Sequence, residues 1–386
     1  MEGEIKNFIM VWSSVILSVC YCYAIAKLTA KGTTRLCMFM PAICLFFVLP
    51  MNLNSVNLGC ATAFFVTWLT NSKLLLLAFG TGPLSNPSLS LSHFVVISCL
   101  PVVIQHQPTT LKSSINDENS ENSRVNGEHM NPNMHRKNSV KSLLHYGKKV
   151  LFLIFLLILN LYRHKFHRDL TAFMVCLFTV VGLEVILGVA AVIGQFLLRT
   201  EVEPPFNDPY FASSLKDFWG RRWNRVSSNT LRLVVFHPIL KKSSMIIGPN
   251  LAVTLALLGT FVVSALMHEI IFYYIGRVTP RWGTTSFFLM QGLCLIVENN
   301  LREKISVKWR VPRLITGPLV FGFVVYTFMR LVLPELLEYN VDERAIAEYA
   351  AVVDFVKDAS LYWGKFGTNF WYKTWKETAY VCQHIQ

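Results

Sequence analysis

The stretch "LAVTLALLGTFVVSALMHEIIFYYI" (251–275) decides the fold class of this chain. A helix needs about 20 apolar residues to cross a bilayer, and this stretch is longer than that. No Asp, Glu, Lys or Arg occurs between Ser243 and Met267, and then His268 and Glu269 follow side by side. Because titratable side chains at that depth are costly in hydrocarbon, they mark functional sites by default. The stretch therefore predicts a membrane-spanning helix that carries such a site.

The rest of the chain repeats this apolar pattern. Of its 386 residues, 53% are hydrophobic and only 15% are charged, whereas soluble domains carry about 25% charged residues. Charge-free blocks cover 7–26, 36–72 and 74–111, and each is long enough to hold one or two spans. We therefore expect an all-α polytopic membrane protein with about eight or nine transmembrane helices.

Shifts in composition divide the chain into four predicted parts. Residues 1–104 form an N-terminal transmembrane block, and residues 150–340 form a second block. Between them, 105–149 is polar and rich in Asn and Ser, so it buries too little apolar surface to offset the cost of ordering and is predicted to be a disordered linker. Residues 341–386 combine apolar side chains at helical spacing with lysines and aromatics, which is typical of an amphipathic helix on the membrane surface.

The charge and the cysteines limit the classes of ligand. The net charge is +13, but the basic residues lie in short loops beside the spans, where they suit anionic lipids or a polyanion such as coenzyme A. Nucleic-acid-binding motifs are absent. The nine cysteines show no metal-ligand spacing, and a zinc-binding HExxH motif would need a second histidine where Phe272 stands. We expect neither nucleic acid nor a metal.

Two candidate sites emerge from the residues. If the span begins at Leu251, a rise of about 1.5 Å per residue puts His268 roughly 26 Å along it, inside the hydrocarbon region; a histidine that merely packs between helices is the alternative. The second candidate is "PPFNDPYFASSLKDFWGRRWN" (204–224), which is dense in aromatics and cations. Its alternative is an interfacial helix anchored at the lipid headgroups by Trp and Arg.

Taken together, these segments resemble the membrane-bound O-acyltransferase superfamily. Within it, the chain is similar to the plant wax synthase group over nearly its full length, apart from 105–149. The resemblance is carried by "GTGPLSNP" (80–87), "LKDFWGRRWN" (215–224), "LVVFHPI" (233–239) and "FVVSALMHE" (261–269). It implies a helical bundle around a central tunnel in the endoplasmic reticulum membrane. It also implies transfer of a fatty acyl group from acyl-CoA to a long-chain alcohol, which forms a wax ester.

The resemblance also implies roles for individual residues. His268 matches the family's general base, and Asn224 matches the second family position, which would hold the thioester carbonyl or orient the histidine. The predicted substrate-binding residues are Asp217, Trp219, Arg221, Arg222 and Trp223, with the two arginines facing the phosphates of CoA and the tryptophans lining the acyl tunnel. Acyl-CoA would act as a co-substrate, and no permanently bound cofactor is expected.

Two alternatives to this interpretation stay open at the level of sequence. A transporter could use His268, Glu269, Glu184 and Glu298 as a proton or ion path, although no internal pseudo-symmetry of hydropathy is visible. The same chemistry could also serve another acceptor, such as a sterol, diacylglycerol or a protein. The side of the membrane that holds 199–245 is not decided by the distribution of positive charge.

Overall fold

A computed structural model describes residues 2–103, 132–304, 313–341 and 343–351 of the chain. Within these ranges all regular elements are helices, which confirms the predicted all-α class. They are α1 (Glu2–Leu28), α2 (Thr33–Val48), α3 (Val56–Thr62), α4 (Asn71–Ala78), α5 (Leu91–Cys99), α6 (Pro132–Leu161), α7 (Arg168–Leu198), α8 (Leu215–Asp217), α9 (Arg225–Leu231), α10 (His237–Ile247), α11 (Pro249–Gly276), α12 (Gly283–Lys304), α13 (Arg313–Leu331) and α14 (Leu333–Glu338). A π-helical segment, Ala63–Thr70, joins α3 to α4.

Six helical segments of the described chain are long and apolar enough to cross a membrane. They are Gly3–Leu28, Thr33–Asn52, Val56–Ala78, Arg168–Leu198, Pro249–Gly276 and Leu314–Leu331. The protein is thus a polytopic membrane protein, as predicted, whereas the expected count of eight or nine spans is not confirmed. In the charge-free block 74–111, where a span was expected, α5 has only 9 residues, fewer than the about 20 needed to cross a bilayer. Buried Lys73 of α4 reaches the end of α5 and donates to the carbonyl oxygens of Ile97 (2.6 Å) and Leu100 (2.8 Å).

The predicted linker and tail fall largely outside the described residues. Of the linker, 105–131 is not described, while the backbone of 132–149 is helical because it forms the first part of α6. Of the tail, 343–351 is helical, and the predicted amphipathic helix beyond residue 351 lies outside the described ranges. The boundaries of the four predicted parts remain a prediction.

Carboxylates from distant segments cap the N-terminus of α3. Glu4 accepts from the backbone N–H groups of Asn54 (2.5 Å) and Ser55 (2.7 Å). Glu348 accepts from the backbone N–H groups of Val56 (2.5 Å) and Asn57 (3.0 Å). The first N–H groups of a helix have no partner within the helix, and its dipole favours negative charge there. These bonds connect both ends of the described chain to one helix.

Helix α12 begins in the same way, beside α11. Glu269 accepts from the backbone N–H (3.0 Å) and hydroxyl (2.8 Å) of Thr285. Glu335 accepts from the backbone N–H of Gly283 (2.7 Å) and the hydroxyl of Thr284 (2.9 Å). Glu269, buried at 5% exposure, therefore serves the junction between α11 and α12. This accounts for one half of the titratable pair that the sequence places in a span.

Close approach of α11 to α12 forms the core that surrounds the candidate site. Gly292 of α12 lies opposite Phe261 of α11, and a Cβ at position 292 would lie 2.9 Å from the Phe261 Cγ. Glycine is thus required for the observed spacing of the two helices. A cluster of buried apolar side chains from both helices, from α13 and from the segment before α9 fills this region; it includes Phe218, Phe261, Ala265, Phe287, Phe288 and Val324.

Candidate active site

The segment that precedes α9 is folded back on itself by backbone hydrogen bonds. The N–H of Asn207 donates to the carbonyl of Arg222 (3.0 Å), and the N–H of Arg225 donates to the carbonyl of Pro205 (2.8 Å). The N–H of Trp223 closes a tighter turn on the carbonyl of Phe218 (2.8 Å). These bonds make 205–225 a closed loop, which fixes the direction of the side chains that it carries.

An internal ion pair holds the same loop. The guanidinium of Arg222 donates from Nε to the Asp217 carboxylate (2.8 Å) and from Nη1 to the carbonyls of Asn207 and Asp208 (both 3.1 Å). Burial alone would raise the pKa of Asp217, but hydrogen bonds from Ser213 and the Arg222 guanidinium hold it below its usual range. Asp217 and Arg222 were both predicted to bind substrate. The structure brings them to each other, so the charge of Arg222 is neutralised within the loop.

Asn224 ends the loop and begins α9. It is buried (8% exposed) and has a φ of 35°, in the left-handed region that asparagine tolerates better than most residues. Its Oδ1 accepts from the backbone N–H of Ser227 (3.1 Å), which caps α9. Its Nδ2 amide donates to no other described residue, so it can serve as a hydrogen-bond donor to a ligand. Asn224 therefore combines a structural role with one available polar group.

The two tryptophans of the loop have different surroundings. The Trp219 ring lies 6.0 Å from the Phe261 ring and 6.0 Å from the Phe288 ring. Its Nε1 donates to Oε1 of the fully buried Gln291 (3.3 Å). The Trp223 ring instead stacks on Phe218 at 5.6 Å. Trp219 thus enters the space between α11 and α12, whereas Trp223 packs within the loop.

His268 lies on α11, partly buried among aromatic rings. Its ring centre is 4.4 Å from that of Phe288 and 6.5 Å from that of Phe272. Nδ1 lies 2.7 Å from the carbonyl oxygen of Ser264, and because a carbonyl can only accept, Nδ1 carries the proton. The lone pair is then on Nε2. This tautomer leaves one ring nitrogen able to accept a proton from a ligand.

Two adjoining cavities lie between α11, α12 and the loop. The inner cavity, of about 240 Å³, is lined mainly by apolar groups, including Trp219, Leu257, Phe261, Phe288 and Leu295. Ser264, whose backbone carbonyl accepts from His268, also lines it. The outer cavity, of about 280 Å³, is lined by Lys216, Asn250, Thr254, Asn299 and Asn300 among others. His268 is not among the residues that line the inner cavity, but its ring contacts two residues that are, Phe288 and Ser264.

The predicted site residues are therefore only partly brought together. Trp219 lines the inner cavity, and His268 lies behind Phe288 at its end. Among the hydrogen bonds of the described residues, none joins Asn224 to His268. Arg221 is exposed. The central tunnel remains a prediction.

Several residues at this site were missed by the reasoning from sequence. Phe288, Gln291 and Lys216 all contact the cavities or the groups that line them. Phe288 and Gln291 lie on α12, for which the sequence analysis predicted only a place in the transmembrane block 150–340. The sequence indicated a role for Lys216 only through its position in the same aromatic and basic stretch as Arg221 and Arg222. In that stretch the adjacent arginines were predicted as the phosphate ligands instead.

Comparison with known proteins assigns the family. The sequence profile of the membrane bound O-acyl transferase family matches residues 202–290, a range that contains the loop, α11 and the start of α12. Relatives extend the similarity over most of the chain, as described below. The chain therefore belongs to the membrane bound O-acyl transferase family, and the resemblance expected from the sequence is confirmed.

Three relatives show which branch of the family this chain is similar to. It is 39% identical over 351 residues to an acyl-CoA–sterol O-acyltransferase of Arabidopsis thaliana, covering 90% of this chain and 96% of that protein. It is 37% identical over 366 residues to a long-chain-alcohol O-fatty-acyltransferase of Simmondsia chinensis, covering 92% and 97%. A probable long-chain-alcohol O-fatty-acyltransferase of Arabidopsis thaliana is 35% identical over 359 residues, covering 92% and 98%.

Proposed function

We propose that this protein is an acyl-CoA-dependent O-acyltransferase that forms wax esters from long-chain fatty alcohols in the membrane of the endoplasmic reticulum. The observation that carries the proposal is the His268 imidazole, whose Nε2 forms no hydrogen bond among the described residues and whose ring contacts Phe288, a residue that lines the apolar inner cavity. Relatives named as long-chain-alcohol O-fatty-acyltransferases support the alcohol as acceptor. Membership in an acyltransferase family argues against the transporter alternative.

The proposed reaction uses His268 as a general base. Nε2 takes the proton of the alcohol hydroxyl while the alcohol oxygen attacks the carbonyl carbon of the acyl thioester. The tetrahedral intermediate then collapses, the carbon–sulfur bond breaks, and the imidazolium returns the proton to the leaving CoA thiolate. The products are the ester and free CoA. The hydrogen bond from Nδ1 to the Ser264 carbonyl holds the ring in the tautomer that this step requires.

The surroundings supply what the histidine alone cannot. The Nδ2 amide of Asn224 would donate to the oxygen of the thioester carbonyl as negative charge develops there. Trp219, Phe261 and Phe288 would enclose the apolar chains and exclude water, which favours alcoholysis of the thioester over its hydrolysis. Because no hydrogen bond joins Asn224 to His268 among those of the described residues, we infer that the two act on different atoms of the substrate.

A sterol is the second candidate acceptor. The specific observation in its favour is the 39% identity to a protein named as an acyl-CoA–sterol O-acyltransferase. Both acceptors offer a hydroxyl on a large apolar body, so the chemistry at His268 would be the same. The difference lies in how bulky a group can reach the imidazole past Phe288.

Acyl transfer in isolated membranes tests the proposal. Membranes that contain the protein receive labelled palmitoyl-CoA together with hexadecanol, a plant sterol or diacylglycerol, and labelled esters are separated and counted. We expect hexadecyl ester above the level of membranes that contain the His268→Ala variant. Labelled steryl ester in place of wax ester would assign the second candidate, and no ester with any acceptor would overturn the proposed function.

A further inference from the structure

We propose that Lys216 and Arg232 bind the phosphate groups of acyl-CoA at the mouth of the site. The proposal rests on the proposed function, since it assumes that the thioester enters through the two cavities described above. It differs from the expectation drawn from the sequence, in which Arg221 and Arg222 meet the phosphates. Three observations carry it: the continuity of the cavities, the balance of charge along them, and their change in polarity.

The two cavities form one groove. Lys216, Leu257 and Asn299 line both of them, so the outer and inner spaces adjoin along α11, α12 and the loop. Along α11 the groove runs from Asn250 at its outer end to Ser264 at its inner end. At a rise of about 1.5 Å per residue, this is roughly 21 Å. The groove can therefore hold an elongated ligand along the helix with its inner end one turn from His268.

The polarity of the groove changes along its length. Its outer part is lined by the amides of Asn250, Asn299 and Asn300. Its inner part is lined by aromatic and aliphatic groups such as Trp219 and Phe288. A ligand that fits has a polar head and an apolar end, which is the form of an acyl thioester of CoA. A fatty alcohol has no extended polar head to fill the outer part.

The groove carries an excess of positive charge within the part of the chain that the structure describes. Among the described residues that line it, Lys216 and Arg232 are basic and none is acidic. Within the described ranges, the Arg232 guanidinium donates only to neutral acceptors, the carbonyl of Gly220 (3.3 Å) and Oδ1 of Asn229 (3.4 Å). Lys216 is exposed and has no carboxylate partner within the described ranges. Two cations without counter-charges at the mouth favour an anionic ligand.

Two neighbouring cations in the same segment, Arg222 and Arg225, are already neutralised, and a third, Arg221, is not among the residues that line the groove. Arg222 pairs with Asp217 at 2.8 Å, and Arg225 pairs with Glu203. Binding a phosphate at Arg222 would require loss of its bond to Asp217, whereas Lys216 and Arg232 can bind one without such a loss. A guanidinium binds phosphate through paired N–H groups, and an ammonium does so as a compact charge. The geometry thus favours Lys216 and Arg232 as the phosphate ligands.

Kinetics of charge-neutralised variants test this assignment. Lys216→Gln and Arg232→Gln are each expected to raise the KM for palmitoyl-CoA by about 5- to 10-fold, the loss of one charge-assisted hydrogen bond at an exposed site. The kcat and the KM for hexadecanol should change by less than about twofold. The variants lose a contact to CoA that is equally strong in the ground state and the transition state, so the acyl-transfer step is unaffected. Lys216→Arg should retain a low KM. Lys242→Gln, which changes an exposed lysine of α10 away from the groove, serves as the matched control.

Direct binding separates this inference from the proposed function. Purified protein is heated with and without free CoA, and we expect CoA to stabilise the wild type and the Lys242→Gln variant but to stabilise Lys216→Gln and Arg232→Gln much less. One outcome would overturn the assignment of Lys216 and Arg232 but leave the proposed function standing: the wild type forms esters, and both variants keep the wild-type KM and the wild-type stabilisation by CoA. Stabilisation by CoA that depends on Lys216, without ester formation from any acceptor, would overturn the proposed function alone.

Phospholipid headgroups offer the same phosphate chemistry, and a second arm distinguishes them. The kinetics are repeated in vesicles of phosphatidylcholine alone and in vesicles that also contain phosphatidylserine. If the groove binds CoA, the rise in KM persists in both compositions. A difference between wild type and variants that appears only with phosphatidylserine would assign the two cations to anionic lipid and overturn the proposal.

Discussion

Two adjacent residues of α11, His268 and Glu269, face different regions and illustrate different uses of a titratable group in a membrane helix. His268 is directed toward Phe288 at the end of the groove, and one of its ring nitrogens is available. Glu269 is directed toward the start of α12, where two donors of Thr285 bind its carboxylate. Successive helix positions point about 100° apart, so two neighbours can serve separate regions. Burial of a titratable group therefore does not by itself indicate catalysis, because the hydrogen-bond partners of the group determine whether its role is structural or catalytic.

The largest effect is expected on the His268 side. The His268→Gln variant should lose about 10²- to 10⁴-fold in kcat, because an amide forms hydrogen bonds but cannot take a proton at neutral pH. Folding should be unaffected, as glutamine can still donate to the Ser264 carbonyl. Ester formation is measured per amount of membrane-inserted protein. Near-normal turnover in this variant would make His268 a packing residue, and the contrast with Glu269 would disappear.

Asn224 should show a smaller loss of activity and separates structure from chemistry. Asn224→Asp keeps an oxygen that can cap α9 and a residue that tolerates a positive φ, but it removes the Nδ2 donor. We expect a loss of about 10²-fold in kcat with little change in thermal stability. Asn224→Ala should lose similar activity and, in addition, about 1 kcal/mol of stability from the missing cap. Full activity of the Asp variant would restrict Asn224 to capping.

Phe288 should control which acceptor reaches His268. Replacing it by alanine opens the space between the inner cavity and the imidazole, so the ratio of sterol to hexadecanol esterification should rise by about tenfold, within the range for one hydrophobic contact in a pocket. The matched control is Phe287→Ala, which removes an equally buried ring (3% exposed) that does not line the cavity. Equal ratios in the two variants would show that cavity formation, and not access to His268, produces the change.

The smallest effect on catalysis is expected on the Glu269 side. Glu269→Gln keeps an oxygen for the Thr285 donors and loses only the charge at the start of α12, a contribution of about 0.3–1 kcal/mol. Turnover should stay within about twofold, while the half-life at elevated temperature shortens. Both are measured on the same membrane preparation. A loss of turnover as large as that of His268→Gln would place Glu269 in the chemistry.

The apolar pattern predicted the polytopic class and the position of the span that carries His268, because apolar side chains along a helix match the hydrocarbon of the bilayer. The predicted span 251–275 corresponds to α11 at Pro249–Gly276. The same pattern could not predict contacts between elements. That Glu269 caps α12 depends on the turn between the two helices. That Trp219 faces the cavity while Trp223 packs on Phe218 depends on the closed form of the loop, which follows from backbone bonds such as that of Asn207 to Arg222.

The charged residues of the loop illustrate the same limit at the candidate site. Lys216, Arg221, Arg222, Arg225 and Arg232 are all basic in the sequence and cannot be ranked by type alone. The structure distinguishes them by their partners: Asp217 for Arg222 and Glu203 for Arg225. The positions of the acidic residues in the fold determine which cation is left to bind a ligand. Composition carries no information about those positions.

The capping of α3 by Glu4 and Glu348 has a consequence for how variants of this protein behave in a cell. A chain cut short just before Glu348 keeps every residue of the candidate site, yet the N–H groups of Val56 and Asn57 lose their acceptor. Such groups cost free energy when left without a partner, and a destabilised protein is removed by cellular proteases in proportion to its unfolded fraction. An inherited nonsense mutation at that point would lower the amount of enzyme. An assay of wax content alone would not distinguish this loss of protein from a loss of turnover per enzyme molecule.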